Sequence, residues 1–159
     1  MKKAKKKLLK LNRLESKAWK VFSRFIRLRD CLFTTHTQSE GRCISCNEIR
    51  PISEAHAGHF IPRGVKSLKF NPQNVNFQCP FCNHYLSGNL AKYLIGLEKK
   101  YGREKVDWLM EEERKWKAGE THALKRYQLE GLVVYYTNLI KQYETITIRD
   151  GDVPVFPDL

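Results

Sequence analysis

The sequence predicts an α+β fold, a ββα-metal unit pinned by zinc and embedded in a mostly helical single domain. Three observations carry this. Two CxxC pairs, Cys43-Ile44-Ser45-Cys46 and Cys79-Pro80-Phe81-Cys82, can supply four thiolates to one tetrahedral ion. Between them, the stretches 55–61 and 75–78 have strand length and are separated by turn chemistry at Asn71-Pro72-Gln73-Asn74. On either side, apolar residues recur at three- and four-residue steps, the helical period.

The 159 residues carry 29 Lys and Arg against 17 Asp and Glu, a formal charge of +12 with a pI near 9.6. That excess argues for a polyanionic partner, most simply nucleic acid, with a merely soluble basic protein as the alternative. No apolar run reaches membrane-spanning length and no signal-peptide core follows the basic start, so no membrane and a cytoplasmic setting are expected. Reduced thiols there favour zinc over disulfides, and the doubled CxxC spacing points the same way.

In chain order, residues 1–30 read as a basic N-terminal arm and helix. Lys2, Lys3, Lys5, Lys6 and Lys7 form a run suited to lying along phosphates, where it would add salt-dependent affinity without sequence choice. From about Leu8 to Arg29, Leu11, Leu14, Ala18, Phe22, Phe25 and Arg29 recur along one packed face, and Lys17, Lys20, Arg24 and Arg27 fall mostly off it.

Residues 31–102 hold the core. Cys31 lies outside both knuckles and reads as a buried or free thiol, and the stretch 34–41 reads as a loop whose His36 has no assigned role. Turn chemistry is expected over 47–54, and the second knuckle should open a helix with Asn83 in its first turn. His84 beside it reads as a helix-surface residue. Ser87-Gly88-Asn89 reads as a helix break, after which Leu90, Leu94, Leu97 and Tyr101 resume the pattern up to a stop at Gly102. Residues 103–159 supply two further helices, marked by Val106, Leu109, Met110 and Trp116 and by Leu124 to Tyr143, and a tail from Thr145.

Cys43, Cys46, Cys79 and Cys82 would saturate a zinc ion, leaving no open position, so zinc here is expected to fold the domain rather than to cut. A second centre can form on the pinned hairpin. His56 and His59 bracket Ala57-Gly58, and Asn83 follows the last cysteine. Histidine on the first strand and asparagine on the helix is the layout of a ββα-metal nuclease. Phosphodiester hydrolysis needs a base for water and a cation for developing charge, and imidazole and Mg²⁺ or Mn²⁺ can supply them. His56 and His59 are three apart, so a flat strand would face them oppositely; a bulge at Ala57-Gly58 is the expected remedy. Arg63, Lys66 and Lys69 either contact DNA phosphate or form a solvated loop.

The run Cys-Ile-Ser-Cys, Ala57-Gly58-His59-Phe60, Leu68-Lys69-Phe70-Asn71, Asn74, Gln78-Cys79, Cys82-Asn83 and Ser87-Gly88-Asn89 resembles the phage NinG (Rap) recombination proteins. The likeness extends to Phe25-Ile26-Arg27 with Arg29-Asp30 upstream, and to Tyr93 through Gly102 with Val106-Asp107 downstream. It implies a metal-dependent, structure-specific endonuclease of HNH type acting on branched recombination intermediates, Holliday junctions and D-loops, in the host cytoplasm. By position, His59 matches the general base, Asn83 a metal ligand, and Asn74 the middle asparagine that braces the loop. His56 stands where the family is expected to carry aspartate, which shifts the expected metal preference toward Mn²⁺. A cysteine-rich N-terminal extension associated with some relatives has no counterpart in this sequence. A four-way junction has two symmetric scissile strands, so a homodimer suits it, although no residue marks one. Two alternatives stay open: a non-catalytic zinc-stabilised DNA-binding protein, and an HNH nuclease with little structure preference.

Overall fold

A computed structural model describes residues 10–146. The lysine run from Lys2 to Lys7 and the tail beyond Ile146 lie outside the described residues. The first helix, α1, spans Leu11–Thr35, and its inward stripe of Leu14, Ala18, Phe22, Phe25 and Ile26 is buried as the period predicts. It runs past the expected end at Arg29 and takes up the start of the predicted 34–41 loop. Thr34 and Thr35 donate their hydroxyls to the carbonyls of Asp30 and Cys31, at 2.6 and 2.9 Å, so both stay inside the helix. His36, at φ 59°, ends it in the left-handed region.

Two short antiparallel hairpins follow. β1 (Glu40–Arg42) pairs with β2 (Ile49–Pro51), which replaces part of the turn expected over 47–54. Three-residue strands are too short to show an alternating pattern. What closes this hairpin is the first knuckle, where Cys43 N–H donates to Glu48 O and Asn47 N–H to Cys43 O, both at 2.9 Å. β3 (His56–His59) pairs with β4 (Val75–Gln78) in the register His56↔Gln78, Ala57↔Phe77, Gly58↔Asn76, His59↔Val75. The second strand matches expectation; the first is shorter than the predicted 55–61. After the second knuckle, Phe81–Tyr85 forms one wide π turn, closed by Leu86 N–H to Phe81 O at 3.0 Å. Then come α2 (Leu90–Tyr101), α3 (Arg103–Lys117) and α4 (Arg126–Glu144), with Gly102 and Gly119 at φ 83° and 77° as the stops. Among the described residues no helix is long and apolar enough to cross a membrane.

The β3–β4 hairpin is sandwiched. Ala57 and Val75 join the core that α1 shares with α4, in which Phe22 and Phe25 meet Tyr136. Phe77 packs with Cys31, a fully buried thiol that burial pushes up to about 12, consistent with an inert core cysteine. The opposite face carries Asn76 and Gln78 toward the π turn and α2. A second core beneath it joins Phe60, Leu68, Tyr93, Leu97, Val106 and Leu109.

Where α1, β4 and α2 meet, charge is buried. Arg29 and Asp30 are 5% and 2% exposed. The guanidinium donates to both oxygens of Asp30, to the carbonyls of Pro72 and Val75, and to Asn76 Oδ1. Asp30 in turn accepts from Phe77 N–H at 2.8 Å and from Lys100 Nζ at 2.6 Å. Burial alone would raise the Asp30 carboxyl, but Arg29 and then Lys100 hold it down to about 2. Its ordinary value is 3.8, so its stabilisation is complete above that pH and is lost as pH falls through about 2. Removing one partner of such a cluster strands the other charges, at a typical cost of ~3–5 kcal/mol. Asp30→Ala is expected to lower the unfolding free energy, read from urea denaturation, by that order and to abolish the acid limb of stability between about pH 4 and 2. A variant with parental midpoint and parental acid limb would refute the role.

Candidate functional site

The four knuckle sulfurs come together. Cys43, Cys46, Cys79 and Cys82 place their Sγ atoms within 4.8 Å of one another. The Cys46–Cys79 separation is 3.8 Å, and a tetrahedron with Zn–S bonds of ~2.3 Å has edges of about 3.8 Å. Donors serve the sulfurs, among them Cys82 N–H, which reaches Cys79 Sγ at 3.4 Å, and Asn89 Nδ2, which reaches Cys82 Sγ at 3.3 Å. Asn89 therefore does more than break the helix. Its left-handed φ of 46°, following Ser87 at 48° and Gly88 at 93°, turns the amide back onto the knuckle. The cluster suits a closed, structural zinc site.

On the π-turn face of the hairpin, Asn83 meets His56, with Nδ2 at 2.8 Å from His56 Nδ1. Beside Asn83 and Gln78 the backbone is Gly58. A Cβ there would lie 2.1 Å from Gln78 Oε1 and 3.0 Å from Asn83 Oδ1. Glycine is required for clearance, not for a bulge. The Gln78 side chain is fully buried; its Nε2 donates to Ser45 Oγ and Gly88 O, yet its Oε1 has no hydrogen-bond partner among the described residues. A buried acceptor left without a donor is costly. Gln78 Oε1 and Asn83 Oδ1 lie over Gly58 and the His56 imidazole lies beside Asn83, a donor set that would suit a hydrated divalent cation. The cation would take the imidazole and the amide oxygen, and one of its waters would donate to Gln78.

His59 lies on the other face. The ladder pairs residue for residue without a bulge, so His56 and Gly58 face the π turn while Ala57 and His59 face α1. The expectation that a bulge at Ala57-Gly58 brings both histidines to one face is thus overturned. His59 stacks on Trp19 with ring centroids 5.0 Å apart, and Arg63 covers the same indole at 4.5 Å. Its Nε2 lies 2.9 Å from Lys69 O. A carbonyl only accepts, so Nε2 carries the hydrogen and Nδ1 keeps the lone pair. Burial, reinforced by Arg63 and Lys69, lowers the imidazole to about 4, so the ring is neutral at pH 7.

Asn74 fixes the loop that supplies this carbonyl. Fully buried, it accepts from Ile61 N–H at 2.7 Å and donates to Ile61 O and Leu68 O at 3.0 and 3.2 Å. Lys69 turns inward: its ammonium lies 2.6 Å from Glu15 and its side chain is 12% exposed. It is a strut rather than an open phosphate contact. Lys66, 3.8 Å from the same carboxylate, is 42% exposed, and Arg63 is exposed beside His59. Periodicity could not have found the Trp19–His59 stack, because the partners are 40 positions apart and belong to different elements.

A profile described as Bacteriophage Lambda NinG protein matches residues 1–144. The chain belongs to the NinG family. It is 34% identical to protein ninG of Escherichia phage lambda over 86 residues, 52% of this chain and 42% of that protein. It is similar to protein ninG of Escherichia phage 933W, 33% over 90 residues covering 54% and 44%, and of Salmonella phage P22, 31% over 86 residues covering 52% and 42%. The aligned region spans less than half the length of these curated NinG relatives. No solved structure matches the chain.

Proposed function

We propose that this NinG-family chain is a metal-dependent DNA endonuclease of HNH type that cuts branched recombination intermediates. The observation that carries the reading is His59, a neutral imidazole with Nε2 tied to a backbone carbonyl and Nδ1 available to accept a proton. Trp19 and Asn74 fix its ring and the loop beside it, and Arg63 is placed to receive a phosphate. In the proposed reaction His59 takes a proton from the attacking water. His56, three residues along the strand from this base and on the opposite face of the hairpin, would hold a divalent cation together with Asn83 of the π turn. When bound, the cation supplies positive charge for the phosphate oxygens. Incubating the protein with a synthetic four-way junction, the matched linear duplex and supercoiled plasmid, each with and without Mg²⁺ or Mn²⁺, tests the proposal. Divalent-dependent cutting with preference for the junction is expected; no cutting of any substrate would sink it.

A second reading, a non-catalytic zinc-stabilised DNA-binding protein, draws on the placement of His59 and the His56–Asn83 pair on opposite faces of the hairpin. It predicts DNA binding without cleavage in the same experiment.

The metal choice should follow position 56. Imidazole suits Mn²⁺ and later metals better than Mg²⁺, which prefers hard oxygen ligands. His56→Asp is expected to shift half-maximal cutting toward lower Mg²⁺ while leaving the bound zinc unchanged. Metal affinity from Mn²⁺ electron paramagnetic resonance should weaken for His56→Ala. If the parent, His56→Asp and His56→Ala give superimposable Mg²⁺ and Mn²⁺ titrations, His56 is not a ligand.

A further inference from the structure

A separate basic cleft opens between the first knuckle, the end of α1 and the outer face of α2. Its volume is about 550 Å³. One wall is α2, where Lys92, Ile95, Gly96 and Lys99 fall at i, i+3, i+4 and i+7 on one stripe. The other wall carries Arg42, and Phe33 lies at the α1 end. The cleft is built rigidly. A Cβ at Gly96 would sit 2.1 Å from the Ile44 carbonyl oxygen, so α2 rests directly on the metal knuckle.

Its charge is available. The one carboxylate lining it, Asp30, is 2% exposed and already neutralised by Arg29 and Lys100. Arg42, Lys92 and Lys99 are exposed and, among the described residues, lack a carboxylate partner. α3 is a contrast. There Arg103 pairs with Asp107 and Glu98, Arg114 with Glu111, Lys115 with Glu112 and Lys117 with Glu113, so that helix largely cancels its own field. Exposed apolar surface lies among the cleft's free cations, with Ile95 65% and Phe33 45% exposed. Cations that track a backbone, beside apolar surface that meets sugars or unstacked bases, form a nucleic-acid groove.

The cleft is remote from His59. Trp19, which stacks on that histidine, and Phe33 are fourteen residues apart on α1, about 21 Å along its axis. That equals roughly six base-pair steps of 3.4 Å, too far for the phosphates flanking one scissile bond to reach both places.

We infer that this cleft holds a second DNA arm, so that one chain grips two arms of a branched substrate, with the scissile strand at His59 and the neighbouring arm between Arg42, Lys92 and Lys99. The inference rests on the proposed nuclease reading and deepens it, because it locates branch recognition away from the cutting residues.

The test is fluorescence anisotropy in Ca²⁺ buffer, with a synthetic four-way junction and a linear duplex of the same arm sequence. The full chain is compared with Arg42→Gln/Lys92→Gln/Lys99→Gln and with a charge-matched control, Arg103→Gln/Arg114→Gln/Lys117→Gln. Zinc content and melting curves confirm that each variant folds. The cleft variant is expected to lose at least about tenfold in junction affinity and under about threefold on duplex, and its junction salt slope should flatten by about 2.7 for three lost phosphate contacts. The α3 control should keep the parental preference for the junction. Equal losses on both DNAs, equal effects of the two variants, or no loss at all would each overturn the inference. If the parent binds and cuts junctions while the cleft variant matches it, the inference fails alone. If the parent binds neither DNA, the nuclease reading falls first and the second arm with it.

Discussion

His59→Ala should bind a four-way junction with parental affinity and cut it ~10²–10⁴-fold more slowly in single turnover, the usual worth of a positioned general base. The expectation follows from the ring's hydrogen bonding. Nε2 is occupied by the Lys69 carbonyl, so the proton can be accepted only at Nδ1. The pH dependence is a second signature. A base works when deprotonated, and this one is lowered to about 4 by burial and the nearby Arg63 and Lys69 cations. The acid limb of kcat/KM, which reports the free enzyme, should therefore lie well below the ordinary histidine value of about 6.5. A bound phosphate offsets the cations, so the acid limb of kcat should lie higher than that of kcat/KM. Parental cutting by His59→Ala at neutral pH, or coincident limbs near 6.5 in the parent, would remove His59 from the base role.

Replacing Cys43 or Cys82 with serine should cost the folded protein rather than its turnover alone. The knuckles tie β1 to the end of β4, and Ile44 N–H donates to Phe77 O at 2.9 Å across that junction. α2 leans on the same knuckle through Gly96 and the Ile44 carbonyl. A thiolate site assembled only in the folded chain contributes its binding energy to folding, on the order of 10–16 kcal/mol for structural zinc in small domains. That is as large as or larger than the net stability of most domains, about 5–15 kcal/mol. Chelation of the parent should likewise unfold it. A cooperative melt near the parental temperature in a zinc-free Cys43→Ser protein would refute the structural assignment.

The four-cysteine site was legible because CxxC spacing is a local chemical fact that needs no knowledge of the fold. The helices were legible where one face packs, and the stops at Gly102 and Gly119 where a positive φ is required. The burial of Asn74 could be anticipated as a loop brace, but its three bonds to Ile61 and Leu68 could not be counted. Harder to see were features whose partners lie far along the chain. Lys69 has the composition of a phosphate contact and becomes a strut because α1 brings Glu15 against it, 54 positions away. Arg29 falls on the packed stripe of the first helix, but nothing local says what would neutralise it or Asp30. They are buried because β4 and Lys100 of α2 close over them.

The sequence by itself determined the four-cysteine cluster suited to zinc, the pairing of Val75–Gln78 with the histidine-bearing strand, and which candidate side chains that strand carries. Only the tertiary structure decided which face each of them serves. Parity along a strand says that His56 and His59 point apart. Whether a bulge cancels that depends on what packs against Gly58, and here Gln78 and Asn83 occupy that space, so the ladder stays regular and α1 and the π turn each receive one histidine. The physical reason is that periodicity is a property of neighbouring residues, whereas the side that packs is chosen by elements tens of residues away.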